Sequence, residues 1–398
     1  MISFQEARKK IKSLAGIVPV QTSEVDLLNG LNRVIDSDII APIDMPLFDR
    51  SAMDGFAIGL PQKPTEQTFK IVGEVQAGED ASLTLQGGEA VRIYTGGVVP
   101  KGTYAVVPIE DVVALRDNDS VVIDLTQVMK GQHIRRRGEQ FRKGDVVLEG
   151  GTLLNEAAIA LLSSVGIKKV KVKEFPLALV LITGNEIATG KQEIGSGRIY
   201  DSNGILLNAY LKKWRIKNKI LYVKDDTELM EESIKANMEQ SGVIISTGGV
   251  SVGKYDHVPT VAKSLGFEVV FHKVRQKPGK PLFLAVHKQK RVVWWGLPGN
   301  PAAVWMGFNL YVLPFLLYNS GYVNEFPKTA FVESISSINN HSERDWLMAA
   351  RLTNSGKVEI FPKQRSDMLM PLSHSDAIAH VPAETNIKPG DIVKTFIL

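Results

Sequence analysis

The sequence contains no cysteine. That absence removes disulfides, thiolate metal sites, cysteine-bound iron–sulfur clusters and a cysteine nucleophile. Any metal held by side chains must take oxygen or imidazole ligands. Net charge is also scarce, a formal +4 over 398 residues, whereas a nucleic-acid binder carries more positive charge gathered in stripes. Long apolar runs are few. The longest, residues 302–318, contains Asn309 and Pro314 and falls short of the roughly 20 residues that span a bilayer. It reads as a buried helix, and no membrane partner is expected. The N-terminus places Glu6, Arg8, Lys9 and Lys10 where a secretory signal needs an apolar stretch, so the expected location is the cytoplasm. No G-x-G-x-x-G follows a strand and no H-E-x-x-H occurs, which argues against a dinucleotide dehydrogenase and a zinc protease.

What is present is a globular composition, 44% hydrophobic and 23% charged, at a length that suggests about two to four domains. The densest stretch is GVIISTGGVSVGKYDH at residues 242–257. Val243, Ile244 and Ile245, running into Ser246, form the end of a buried parallel strand. It opens directly into Thr247, Gly248 and Gly249, with Gly253 beyond. Glycines at a strand end let backbone N–H groups converge on one point, which attracts anions, and open α/β sheets bind ligands at that edge. A glycine-rich turn is common enough that alone it identifies no ligand. The spacing to Lys254 mimics a P-loop, but Tyr255 replaces the Ser or Thr that would hold magnesium. Gly249, Ser251 and Gly253 spell G-x-S-x-G, yet Ser251 lies several residues past the strand, whereas a nucleophile elbow places its serine on the strand-to-helix turn.

In chain order, Ser3 and Glu6 make a capping box and Phe4, Ala7, Ile11 and Leu14 recur at helical spacing, so residues 3–14 are expected to be an amphipathic helix. Residues 23–35 repeat the pattern and predict a second helix. Residues 69–125 break into short β-like runs punctuated by Gly, Pro and Asp. From Leu177 strand and helix alternate as in a doubly wound sheet. Several strand-ending loops there carry Gly with Glu, Asp, Lys or Asn, which argues for a polar site along one sheet edge. Beyond Val323 the patterning is all β.

Seven segments then occur in a fixed order: SAMDGFA from Ser51, IRRRGE from Ile134, TGNEI from Thr183, IYDSN from Ile199, STGGVSVGKYD from Ser246, KPGKP from Lys277 and GLPGNP from Gly296. In them, and over nearly its whole length, the chain resembles the MoeA family of molybdopterin molybdenumtransferases, to which gephyrin's E domain is similar. The resemblance implies a multidomain α/β and β fold. Its parts would be an elongated helical and extended domain (1–48 with 141–175), an inserted β-rich domain (49–140), a central doubly wound α/β domain (176–322) and a small C-terminal β barrel (323–398). It implies a homodimer whose active cleft is shared between subunits. It also implies insertion of molybdenum from molybdate into adenylyl-molybdopterin, with magnesium assisting and AMP released. The missing cysteines fit, since the pterin dithiolene carries the metal.

Carried over by matching positions, Asp54, Glu186, Asp226, Asp256, Lys277 and Lys280 are the implied catalytic residues, with Glu186 and Asp256 on magnesium and Asp225 an alternative to Asp226. Lys277, Lys280, Ser251 and the N–H groups of Gly248, Gly249 and Gly253 would offset oxyanion charge. Asp201, Ser202, Asn203 and the Pro298, Gly299, Asn300, Pro301 turn would contact nucleotide or pterin. Ser51, Thr95, Arg135, Arg136 and Arg137 would complete the site from the partner subunit. Gln140 stands where the family often has aspartate, and a neutral amide cannot act as a base. Three alternatives share features of the sequence: a non-catalytic scaffold like gephyrin's E domain, a molybdopterin adenylyltransferase resembling the α/β domain alone, and insertion of tungsten. The joint presence of KPGKP and the carboxylates argues against the first, and the extra domains argue against the second.

Overall fold

A computed structural model describes residues 1–63, 65–80, 82–116, 119–188, 197–250 and 257–398. The chain divides into two units. One holds Met1–Ser37, Gly150–Ala160 and Lys168–Leu398, and the other holds Asp38–Glu149 with Leu161–Ile167.

In the first unit, a six-stranded sheet runs in the order Asn218–Val223, Ala178–Thr183, Val243–Thr247, Val292–Leu297, Phe283–His287, Glu268–His272. The first four strands are parallel, and the last two are joined antiparallel. Helices cover both faces, and the alternation of side chains along the strands allocates them. Val180, Ile182, Ile245 and Trp295 pack with Leu207 and Leu211 of the helix Asn203–Lys213 and with the N-terminal helix. Leu179, Leu181, Ile244 and Trp294 pack with Met230, Ile234, Val258 and Val261. Runs apolar on every position, such as VIIS, therefore belong to strands buried on both sides. The chain leaves Ala178–Thr183 toward one side and returns on the other as Val243–Thr247, so the strand order reverses between their carboxyl ends, the usual place for a ligand crevice.

The helix Phe4–Ser13 forms as expected, with Ser3 and Glu6 capping each other. Residues 23–35 do not form a helix. Thr22–Asp26 is a strand followed by a single 3-10 turn, Leu27–Gly30. Lys169–Lys173 pairs with it antiparallel, setting Lys171 opposite Glu24 and Lys169 opposite Asp26. The ladder itself, which sets Val25 opposite the buried Val170, is available only in the folded chain and outweighs a helical spacing of apolar residues.

The buried apolar run becomes one helix, Pro301–Asn319, 94% buried and the only one among the described residues long and apolar enough to cross a membrane. It contains a π-helical segment, Phe308–Val312, just before Pro314. Proline cannot donate to the carbonyl four residues back, here that of Leu310. Arg8 Nη1 donates to that oxygen instead at 3.1 Å, and Nη2 donates to Phe326 O at 2.8 Å.

Residues 328–398 are β apart from the short helix Met370–Ser373. Their main sheet orders Asp345–Leu352, Ala377–Val381, Ile392–Ile397 and Lys328–Glu333, all antiparallel. Its far edge is supplied by Gln276–Lys277, which runs parallel to Asp345–Leu352. The KPGKP segment is thereby tied to the C-terminal sheet.

The second unit is built on a six-stranded sheet ordered Ala105–Pro108, Gly55–Ile58, Glu89–Ile93, Glu66–Val75, Ser120–Asp124, Ala114–Arg116. A short ladder of Arg50–Ser51 with Ile134–Arg135 brings SAMDGFA beside IRRRGE.

Candidate active site

Two adjoining clefts open beside the carboxyl ends of the central strands. The first, about 520 Å³, is lined by Glu186, Asp201, Ser202, Asn203, Gly248, Gly249 and the turn of Pro298, Gly299, Asn300 and Pro301, joined by Tyr200 and Asp367. Strand register explains the convergence: Ile182 lies beside Thr247, and Thr247 beside Leu297, so the three loops leave the sheet at one level. Thr183 Oγ1 donates to Thr247 O at 2.9 Å. Gly248 takes φ +89°, and a Cβ there would lie 2.7 Å from that hydroxyl, so glycine is required for both reasons.

The N–H of Gly248 donates to Leu297 O at 2.9 Å. This corrects the expectation that it faces an anion, because the donor extends the ladder between the two central strands by one residue. Ser251, Gly253 and Asp256 lie outside the described residues. His272 Nε2 is 3.0 Å from Val250 O and secures the start of that loop.

Asp201 is held at both oxygens. Oδ1 accepts from Gly204 N at 2.8 Å and Oδ2 from Tyr222 OH at 2.9 Å. Burial, and then the bond to Asp201, push the Tyr222 phenol above its ordinary value, keeping it a donor. Asp201 therefore caps the helix Asn203–Lys213, while Ser202 makes no capping bond and its hydroxyl is left to the cleft. Asn203 is buried; its Nδ2 donates to Gly299 O at 2.6 Å, and its Oδ1 has no partner. A buried acceptor without a donor costs stability, so a ligand N–H or O–H fits there.

The second cleft, about 600 Å³, shares Pro281, Pro298 and Asn300 with the first and is lined by Lys277, Lys280, Arg344, Arg365, Trp346 and Ser366. Lys277 Nζ sits 4.7 Å from the centre of the Trp346 ring. Arg365 pairs with Asp367 at 3.0 Å, so this ion pair joins the two clefts. Asn300 Nδ2 donates to Ser366 Oγ and Ala302 N to Ser366 O, both at 3.0 Å, fixing the C-terminal segment against the helix start. The KPGKP loop is closed by Lys273 N to Leu282 O and Val274 N to Lys280 O, both 2.9 Å. Inside it Gln276 donates to Pro278 O at 3.1 Å and accepts from the Tyr311 hydroxyl. Full burial holds that phenol well above its usual range, so it remains a donor.

In the second unit, Asp54 Oδ1 accepts from both the N–H and the hydroxyl of Thr95, each at 2.7 Å. Those two bonds hold its carboxyl below the usual range. Ser51 is buried and donates to Met53 O at 2.6 Å, so its hydroxyl serves the turn and not a ligand. Arg136 pairs with Asp49 at 2.7 Å and Arg137 with Asp44. Asp226 accepts from Glu228 N and Leu229 N, both at 2.9 Å, which makes it the cap of the helix Thr227–Lys235. Neither Asp225 nor Asp226 lines either cleft.

Residues 2–166 match the MoeA N-terminal region (domain I and II), 179–318 a probable molybdopterin binding domain, and 336–398 the MoeA C-terminal region (domain IV). The chain belongs to the MoeA family. A molybdopterin molybdenumtransferase of Staphylococcus aureus is 33% identical over 408 residues, covering 100% of this chain and 95% of the relative. One of Staphylococcus epidermidis is 30% identical over 407 residues, with the same coverage. Two crystal structures of the molybdopterin biosynthesis MoeA protein of Pyrococcus horikoshii also match. One is 27% identical with a TM-score of 0.74, covering 100% of this chain and 99% of that one. The other is 26% identical with a TM-score of 0.81, covering 100% of both.

Within this MoeA-family chain, the motif residues Glu186, Asp201, Ser202 and Asn203 share one cleft, and Lys277 and Lys280 share its neighbour. Sequence reading missed Tyr222, Arg344, Trp346, Arg365, Ser366 and Asp367. The available signal for the last three was QRSD at 364–367, a polar run interrupting the β pattern.

Proposed function

We infer that the chain is a molybdopterin molybdenumtransferase of molybdenum cofactor biosynthesis, inserting molybdenum from molybdate into adenylyl-molybdopterin with release of AMP. The observation that carries the reading is the adjacency of two unlike clefts. One is lined by carboxylates and a buried unpartnered amide oxygen, and the other by Lys277, Lys280, Arg344 and Arg365. A divalent oxyanion needs the second, and a hydrogen-bonding heterocycle needs the first. Their common wall at Pro281, Pro298 and Asn300 lets both substrates react without leaving the protein.

Magnesium would neutralise phosphate charge. Among the described residues no three His, Asp or Glu side chains group to hold a metal ion. Glu186, on the cleft wall, fits an ion bound mainly by water and substrate phosphate, which magnesium favours. Asp256 is its proposed companion. Asp225 replaces Asp226 as the candidate acid of the Lys224 loop, because the Asp226 carboxylate caps a helix. Asp54, Thr95 and Arg135 to Arg137 serve the cleft of a partner subunit in a cytoplasmic homodimer.

The test is AMP release from adenylyl-molybdopterin by the purified protein with magnesium, with and without molybdate. Molybdate-dependent release with active cofactor formed supports the transferase. Tight pterin binding with no release refutes it in favour of a carrier.

A further inference from the structure

We propose that the Arg365–Asp367 ion pair is an exchangeable latch between the two clefts: an oxyanion in the basic cleft takes the Arg365 guanidinium, and the freed Asp367 carboxylate turns to the heterocycle in the neighbouring one. The latch rests on the proposed function for the identity of these two ligands.

The pair is bidentate. Arg365 Nε donates to Asp367 Oδ1 at 3.2 Å and Nη2 to Oδ2 at 3.0 Å. Arg365 lines the basic cleft and Asp367 lines the other. The two side chains keep 71% and 58% of their surface exposed, and an ion pair so open to water and salt is weak. The backbone around it is fixed. Gln364 accepts from Ala349 N at 2.8 Å and donates to Ala349 O at 3.2 Å. Ser366 holds Asn300 and Ala302, and Arg365 O accepts from Met368 N at 3.1 Å. An exchange of partners therefore needs side-chain rotation alone.

Charge sets the direction of the exchange. Among the described residues Lys277, Lys280 and Arg344, the other cations of the basic cleft, make no ion pair. A dianion entering there meets four cations, of which one is already held by Asp367. Two negative charges and four oxygens, attracted by the other three cations as well, outcompete a single carboxylate for the guanidinium fork. Asp367 stays ionised at neutral pH, because its own backbone N–H and then Arg365 hold the carboxyl below the usual range. Once released, it faces a cleft that carries Glu186 and Asp201 and, among its described walls, no Lys or Arg. There it calls for a ligand rich in donors. A pterin presents a ring N–H and an amino group side by side, which a carboxylate accepts with both oxygens. Each ligand thus favours the other, and such a coupling is reciprocal.

The test uses the full-length protein in low-salt, magnesium-free buffer, with molybdate binding followed by calorimetry in wild type, Asp367→Asn, Arg365→Met and the double variant. Arg365→Met should bind molybdate about tenfold more weakly. Asp367→Asn should bind it about two- to fivefold more tightly, since the competing anion is gone, and a gain in affinity does not come from damage to the fold. In the double variant that gain should vanish, leaving the affinity of Arg365→Met alone. Sulfate, of the same charge and shape as molybdate but inert, should tighten adenylyl-molybdopterin binding in wild type and in neither single variant. Four results would each overturn the proposal: a wild type that takes up no molybdate, Asp367→Asn no tighter than wild type, a gain that survives in the double variant, or an equal effect of sulfate in wild type and Asp367→Asn. AMP release separates the latch from the proposed function. The expected molybdate pattern in a protein that releases no AMP keeps the latch and removes the transferase. Molybdate-dependent release without that pattern does the reverse.

Discussion

Asp54 receives both its hydrogen bonds from one residue, Thr95, and is held ionised by them. At neutral pH it is therefore ionised, and its lowered pKa makes it a weaker proton acceptor than an ordinary carboxylate. Asp54→Asn preserves the shape and deletes the charge, and AMP release should fall by about 10²-fold with little change in Tm, the scale of a lost electrostatic group. Thr95→Ala removes the hydroxyl bond and keeps the N–H bond, the larger cause of the depression, so the carboxyl rises only part of the way. If ionised Asp54 is needed for turnover, the acid limb of its kcat/KM profile should move to higher pH. Lys280 lines the basic cleft, so Lys280→Met should raise KM for molybdate about tenfold while pterin binding, followed by calorimetry, changes little. At this scale the motif residues were legible because each sits beside its own strand-ending turn. Tyr222 was not, since its bond to Asp201 spans 21 residues and nothing in either stretch names the other.

The helix Pro301–Asn319 shows how an element can be legible in outline and hidden in detail. Its apolar run announces burial, but Pro314 should break it. Continuity depends on Arg8, from the other end of the chain, donating to the Leu310 carbonyl. Arg8→Met would leave the Leu310 oxygen without its Arg8 donor and Phe326 O with only the Tyr318 hydroxyl at 3.4 Å. The expected loss is about 2–4 kcal/mol in denaturant unfolding, with the N-terminal helix intact by circular dichroism. The strand Thr22–Asp26 fails the other way. Its residues read as helix until Lys169–Lys173 supplies the partner. Local periodicity decides an element only where no distant strand competes for its backbone.

For the molecule as a whole, protonation links the units to stability. Burial pushes His380 below its ordinary 6.5, outweighing Asp345, whose carboxylate lies 3.2 Å away without hydrogen-bond geometry. The unfolded chain then binds the extra proton first, so stability is constant above about pH 6.5 and falls as pH drops below it. Asp36, Asp44, Asp54, Asp124 and Asp367 are all held below the usual 3.8 by hydrogen bonds or ion pairs. Their contribution is complete above that value and is lost as pH falls through the lowered ones. Tm measured from pH 8 to pH 3 should decline in two stages, and His380→Gln should abolish the upper one. Gel filtration of the proposed homodimer should give twice the chain mass; a monomer would exclude a cleft shared between subunits.

The sequence by itself determined the family, the alternation of strand and helix from Leu177, and the loops that end the central strands. Those are properties of residues close in the chain, where periodicity, glycine spacing and caps act. Tertiary structure alone decided the basic cleft. The pairing of Gln276–Lys277 with Asp345–Leu352 brings Arg344 and Trp346 to KPGKP, and the bonds from Asn300 and Ala302 bring Ser366. It also decided that the Gly248 N–H serves the sheet and that Asp226 caps a helix. In each case the deciding partner is a backbone group or side chain whose position exists only once the fold has closed.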